Sequence, residues 1–176
     1  MNFVKLTKES SDIAVLERLN EEAFPENDRN LITDLIDTGA VVYGIYEFSE
    51  AIGFAVIREY KDIMYLAYLA VRSDSRGRGI GTAVVSELAN KYFNKQIVVE
   101  YEAPDGTVDH GLTAIKRRNF YRRCGFRQTG WYTFYDDVEF EIGCAGEEFD
   151  IDMFNEFVDD LSTLVNDHIP HPYRKD

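Results

Sequence analysis

From Asp62 the chain reads DIMYLAYLAV, breaks into RSDSRGRGIG, re-forms as a helical stripe, and then enters a second apolar run, QIVVEYEAP. The first run is apolar at nearly every position, the pattern of a strand covered on both faces and therefore lying in the middle of a sheet. Residues 82–94 place Ala83, Val84, Leu88, Ala89 and Phe93 at helical spacing. A strand joined through a helix to another strand predicts a crossover unit, strand 62–71, helix 82–94 and strand 96–102, parallel and right-handed. An all-helical or an all-antiparallel chain cannot contain that unit, so the fold is a mixed α/β one.

The remaining segments fill in around it. FVKL reads as a first strand, and SSDIAVLERLNEEAF as a helix, with Ile13, Leu16, Leu19 and Phe24 at helical spacing behind Ser and Asp caps. A short helix over 29–37 ends at Gly39. VVYGIYEF and IGFAVIREY, rich in β-branched and aromatic residues, read as a hairpin broken at Ser49-Glu50. After a loop, DGTVDHG, residues 112–123 read as a helix closed by Gly125. Two further strands, 127–135 and 138–143, are split by Asp136-Asp137. Residues 149–165 place Phe154, Phe157, Val158, Leu161, Leu164 and Val165 on one helical face and acids on the other. Such a face covers either the chain's own sheet or a second copy in a homodimer.

Composition narrows the function. With 45% hydrophobic and 14% aromatic residues, the 176-residue chain reads as one folded domain. The start MNFVKLTKESSD has no signal-peptide core, and no apolar run is long enough to span a bilayer, so a cytoplasmic protein without a membrane partner is expected. Cys124 and Cys144 have no CxxC or His partners and are expected to be core thiols, with no metal site and no disulfide. A net charge of -13 argues against nucleic-acid binding, which draws on a basic surface. The charge is unevenly spread. Residues 128–173 hold twelve acids and no Lys or Arg, whereas Arg72, Arg76, Arg78, Lys116, Arg117, Arg118, Arg122, Arg123 and Arg127 supply nine of nineteen cations. In an acidic protein such clusters either meet a bound anion or solubilise a helix face.

A strand, a glycine loop and a helix start aim free backbone N–H groups and a positive dipole end at one point, an arrangement that suits a phosphate. The spacing excludes two familiar versions. Gly81 is followed by Thr82-Ala83 without the lysine of a Walker loop, so a phosphate-loop hydrolase is disfavoured. Gly77, Gly79 and Gly81 give GxGxG, which is not the dinucleotide fingerprint.

LAVRSDSRGRGIGT resembles the acyl-CoA-binding segment of the GNAT superfamily of N-acetyltransferases, through Leu69, Val71, Arg76, Gly79 and Gly81. About forty residues on, KRRNFYRRCGF is similar to that family's later helix, which ends in Tyr-x-x-x-Gly-Phe. The resemblance covers about residues 1–143 and leaves the tail helix unaccounted for. It departs at Ala114, where many members carry an Asn that touches the cofactor. It implies a mostly antiparallel twisted sheet of about six to seven strands flanked by helices, with the tail helix as an addition. On this basis residues 1–146 form the acetyltransferase domain, and residues 147–176 belong to it or to a dimer contact.

The resemblance also implies acetyl-CoA as cosubstrate and a primary amine as acceptor. The cofactor set is Leu69, Ala70 and Val71 pairing with the pantetheine arm, then Arg76, Gly77, Arg78, Gly79, Ile80, Gly81 and Thr82 around the pyrophosphate, with Arg118 toward the adenosine end. Tyr121 matches the family's general acid; the structural alternative is a tyrosine packed behind its helix. The N–H of Val71 would meet the oxyanion.

For a base, Glu100 and Glu102 lie two apart on one strand and share a face, and a carboxylate set in an apolar strand is costly without a purpose or a partner. Glu100, Glu102, His110 and a water all stand open. Tyr43, Tyr65, Tyr68, Trp131 and Tyr132 are rings that would suit a cationic amine. The alternative class is a non-catalytic acyl-CoA sensor or interaction module, which would bind the thioester and transfer nothing.

Overall fold

A computed structural model describes residues 1–26, 29–104 and 109–175, without the side chains of Asp109 and His110. The elements are β1 (Asn2–Lys5), α1 (Ile13–Ala23), α2 (Ile32–Asp37), β2 (Val41–Glu47), β3 (Glu50–Tyr60), β4 (Ile63–Val71), α3 (Ile80–Lys91), β5 (Gln96–Glu102), α4 (Asp109–Arg123), β6 (Arg127–Tyr135), β7 (Val138–Gly146), α5 (Ile151–Val165) and β8 (Tyr173–Arg174). The strand order is β1-β2-β3-β4-β5-β7-β6-β8, with β4 inside the sheet as its apolar run requires. Ile63 pairs with Gln96, Met64 with Ile97 and Tyr65 with Val98, all parallel, which is the crossover the sequence demands. The registers of β1 with β2, β2 with β3, β5 with β7, β6 with β7 and β6 with β8 are antiparallel.

The chain divides into two compact units. One holds Met1–Glu59 with Leu66–Glu87, the other Tyr60–Tyr65 with the chain from Leu88 onward. In the first, Leu16 and Leu19 of α1, Ile32 and Leu35 of α2 and Val42, Phe54 and Val56 of β2 and β3 form one buried cluster. Glu17 ties the two helices together, because its Oε1 accepts the Ile32 N–H, an orphan donor at the start of α2, at 2.6 Å. In the second unit, Phe154, Phe157 and Val158 of α5 are buried with Ile63, Val98, Ile142 and Cys144. The acidic tail helix thus spends its apolar face on β5 and β7, and only its last turn leaves Leu164 and Val165 exposed. Asp150 caps it, accepting the Asp152 and Met153 N–H groups at 3.0 and 3.1 Å.

Several expectations change, among them α2, which begins at Ile32 and not residue 29, and β7, which runs on past residue 143 to Gly146. Helix α3 starts at Ile80 and stops at Lys91, so Phe93 falls beyond it and is 76% exposed, while Val84, Val85 and Leu88 form the buried stripe. The β2–β3 turn lies at Phe48-Ser49, not Ser49-Glu50, with φ of +49° and +71°. Helix α4 begins at Asp109 rather than residue 112. An eighth strand, β8, pairs Tyr173 with Tyr132 and Arg174 with Trp131; two residues of HPYRKD carry no alternation from which to foresee it. Asp136 and Asp137 do make the expected turn, at φ of +44° and +65°. Cys124 and Cys144 are in no disulfide, and no described helix is long and apolar enough to cross a membrane.

Candidate functional site

In the first unit, β2 and β3 change register between Ile45, opposite Gly53, and Tyr46, opposite Ala51. The extra residue, Ile52, forms a bulge whose carbonyl accepts the Arg72 N–H at 2.9 Å, fixing the point where the chain leaves β4. Gly53 permits that approach, since a Cβ there would lie 2.5 Å from the Ala70 carbonyl oxygen. Leu69 and Val71 are half-buried and Ala70 is buried.

A single 3-10 turn, Ser73–Ser75, follows. Arg72 braces it through Asp74 Oδ1 at 2.7 Å and through Glu50 Oε1 at 2.5 Å. Arg76 turns back, its Nε donating to the Val71 carbonyl at 2.9 Å. Gly77 and Gly79 then take φ of +75° and +79°, where an L side chain is strained. A Cβ at either would meet nothing within 4 Å, so backbone conformation, not crowding, selects glycine.

The first bond of α3 runs from the Ala83 N–H to the Gly79 carbonyl at 3.0 Å, which leaves the amides of Ile80, Gly81 and Thr82 without intrahelical acceptors. From Gly77 to Thr82 no amide has a hydrogen-bond partner among the described residues. Such a run of open donors at the positive end of a helix dipole holds an anion well. Arg78 Nη2 lies 2.9 Å from both carboxylate oxygens of Glu47 at the end of β2. Both loop arginines therefore have a protein partner, Arg78 a carboxylate and Arg76 a carbonyl.

In the second unit Glu100 sits on β5 opposite Ile142. Its Oε2 accepts the Tyr65 hydroxyl at 2.6 Å, and its Oε1 accepts the Thr133 hydroxyl and, at 3.5 Å, that of Tyr135. Burial raises its pKa above the ordinary glutamate value, and the three hydroxyls, which favour the charged form, work against that rise. Tyr65 is itself set between Phe154 and Phe157, with ring centroids at 6.3 and 5.3 Å, so α5 backs the group that grips the carboxylate. Glu102, two residues on, faces Arg117 at 3.4 Å. His110 falls in α4, with its side chain outside the described residues.

Tyr121 is 7% exposed, stacked on Tyr101 at 5.5 Å and 16° and edged by Phe120 and Phe126. Gly143 makes room for the stack, since a Cβ there would come 3.0 Å from the Tyr101 ring. The ring is packed like a core residue, yet its hydroxyl has no hydrogen-bond partner among the described residues. Burial pushes the phenol up to about 12, holding it in the proton-bearing form at neutral pH.

Arg118 is committed to buried Glu141, Nε to Oε2 at 2.9 Å with Nη2 on Oε1, and Gln128 adds a bond to Oε2 at 2.8 Å. This neutralises a carboxylate that could not otherwise be buried. The rings named for a cationic amine are also engaged. Tyr43 is buried, Tyr65 holds Glu100, Tyr68 accepts from Asn30, and Trp131 and Tyr132 lie under Arg174 at 4.8 Å and Lys175 at 4.4 Å.

Tyr65, Thr133 and Tyr135 are the neighbours that sequence reasoning missed. Thr133 and Tyr135 do alternate onto one face of β6, but nothing local says which strand that face meets.

The family model for the GNAT acetyltransferase domain matches residues 38–128, which take in the glycine loop, β5 and the Tyr121 helix. Among solved structures, a GNAT-family protein of Bacteroides thetaiotaomicron has a TM-score of 0.73 at 23% identity, covering 94% of this chain and 98% of its own. A GNAT acetyltransferase of Elizabethkingia anophelis with acetyl-CoA bound gives 0.62 at 15% identity, over 83% of this chain and 97% of that one. The aminoglycoside 6′-N-acetyltransferase of Enterococcus faecium gives 0.65 at 16%, over 82% and 96%. No curated protein sequence matches. At these identities the structures speak for the fold alone, whereas the family model spans more than half of the sequence: the chain belongs to the GNAT acetyltransferase family.

Proposed function

We propose that this chain transfers an acetyl group from acetyl-CoA to a primary amine, by direct attack within a ternary complex. One observation carries the reading. Gly77 to Thr82 offer consecutive unpartnered amides, two of them freed by left-handed glycines, at the end of an apolar strand. That donor set matches a diphosphate in charge and in number. Leu69, Ala70 and Val71 would pair through main-chain groups with the pantetheine arm, as an added strand does. Arg76, whose partner is an uncharged carbonyl, adds positive charge beside the loop, while the charge of Arg78 is balanced by Glu47 and its main-chain amide remains for the ligand. Arg118, fully engaged by Glu141, is given no part.

The chemistry is divided among three groups. Glu100 takes a proton from the ammonium, directly or through a water, and its raised pKa suits an acceptor working near neutral pH. The freed nitrogen lone pair attacks the thioester carbon, and the Val71 N–H steadies the oxyanion. As the C–S bond breaks, sulfur keeps the electron pair and takes the Tyr121 proton, and the surplus proton on the new amide nitrogen passes to the Tyr121 oxygen, directly or through a water, which restores the phenol. The acceptor class is a cationic amine, supported by the net charge of -13, which draws cations toward the protein.

Release of CoA thiol from acetyl-CoA across a panel of polyamines, amino sugars, amino acids and lysine peptides tests this. The expected result is release that requires both protein and amine, with one acetylated amine per thiol. Binding of acetyl-CoA with no amine-dependent release across the panel would instead identify an acyl-CoA-binding module.

A further inference from the structure

The β2–β3 hairpin breaks a local rule that nothing in the fold repays. Its two turn residues, Phe48 and Ser49, both have positive φ, the conformation for which Asn and Gly are favoured. Phe48 is the bulky exception, at +49°. Its ring gains no packing in return, being 98% exposed. Rules broken without a structural gain mark places where function has set the residue.

The residues on either side say which function. Glu47, just before the turn, holds Arg78 of the glycine loop through both carboxylate oxygens at 2.9 Å. Glu50, just after it, holds Arg72 at the exit of β4 at 2.5 Å. Two ion pairs thus tie the flanks of the tip to the exit of β4 and to the glycine loop, and the ring of Phe48, which lies between those flanks in sequence, is open to solvent.

We propose that Phe48 is a binding residue for the flat, aromatic part of the ligand whose diphosphate the loop holds, stacking on the adenine ring. The proposal rests on the acetyl-CoA reading above. A side chain that stacks must present an open face before the ligand arrives, which explains the exposure. A turn clamped at both flanks holds that face in place, which lowers the ordering cost of binding.

Two probes separate the adenine contact from the rest of the cradle. Coenzyme A carries adenosine, whereas 4′-phosphopantetheine does not. For Phe48→Asn, calorimetry at low salt is expected to show coenzyme A bound roughly 5- to 100-fold more weakly than by wild type, the range for loss of one base-on-ring stack. Phosphopantetheine affinity should be unchanged, and Phe48→Trp should restore the tighter coenzyme A binding.

The same Phe48→Asn chain should melt roughly 2–4 °C higher, because Asn tolerates the left-handed turn. A residue kept for folding would give the opposite sign. Equal coenzyme A affinity in wild type and Phe48→Asn overturns the proposal, as does an equal loss on both probes. If wild type binds no coenzyme A at all, the acetyl-CoA reading fails and takes this one with it.

Discussion

Glu100→Gln is expected to lower kcat/KM roughly 10²- to 10⁴-fold, the usual worth of a positioned general base. The variant keeps the shape of the side chain and one of the two acceptor oxygens, the other becoming an NH2 donor, and cannot take a proton. The pH profile distinguishes this from damage to the fold. With Glu100 as base, wild-type kcat/KM rises as pH climbs through the carboxyl's raised pKa, because only the ionised form accepts a proton. That acid limb should vanish in Glu100→Gln.

Tyr65→Phe supplies a second, independent sign. The Tyr65 hydroxyl, 2.6 Å from Oε2, stabilises the ionised carboxylate, so its removal raises the pKa and moves the limb to higher pH. Thr133 and Tyr135 stay in place from β6 in both chains. A limb unmoved in Glu100→Gln would take the base role away from Glu100 and give it to a group outside this cage.

Tyr121→Phe is the other large effect, with kcat falling roughly 10²- to 10⁴-fold while acetyl-CoA affinity holds. Burial keeps the phenol protonated up to about 12, so throughout the neutral range it has a proton to give. The stack on Tyr101 and the edges of Phe120 and Phe126 need only the ring, which phenylalanine retains. Calorimetry and thermal melting should therefore match wild type. Undiminished kcat in Tyr121→Phe would leave the residue as a packed core tyrosine, the structural alternative that the sequence holds open.

What the sequence discloses and what it conceals divide along a physical line. The crossover from β4 through α3 to β5 is legible because period and composition are local, and so is the glycine loop, whose left-handed φ values at Gly77 and Gly79 only glycine takes without strain. That α5 buries one face follows from a stripe of Phe154, Phe157 and Val158, although whether its own sheet or a second copy covers that face does not.

Side-chain partnerships across strands are concealed. Arg118 reads as one cation in a basic helix, while its place is settled by Glu141, twenty-three residues away on β7. Trp131 and Tyr132 read as open rings, while Arg174 and Lys175 from the far end of the chain cover them. Glu100 stands out in the sequence by the cost of a carboxylate in an apolar strand, yet the three hydroxyls that make that cost bearable come from β4 and β6. Phe93 and Phe48 fail as strand or helix residues for a nearer reason. Apolar character suggests that a run continues, and both lie where the backbone has already turned.

The mechanism depends before anything else on the main-chain amides of the glycine loop. Backbone amide NMR during a coenzyme A titration reads them one by one. The resonances of Gly77, Arg78, Gly79, Ile80, Gly81 and Thr82 are expected to shift together and saturate at one equivalent, with the largest changes at the left-handed glycines and the start of α3. Saturable binding that leaves those six amides unmoved would contradict the diphosphate cradle, and with it the proposed binding of acetyl-CoA.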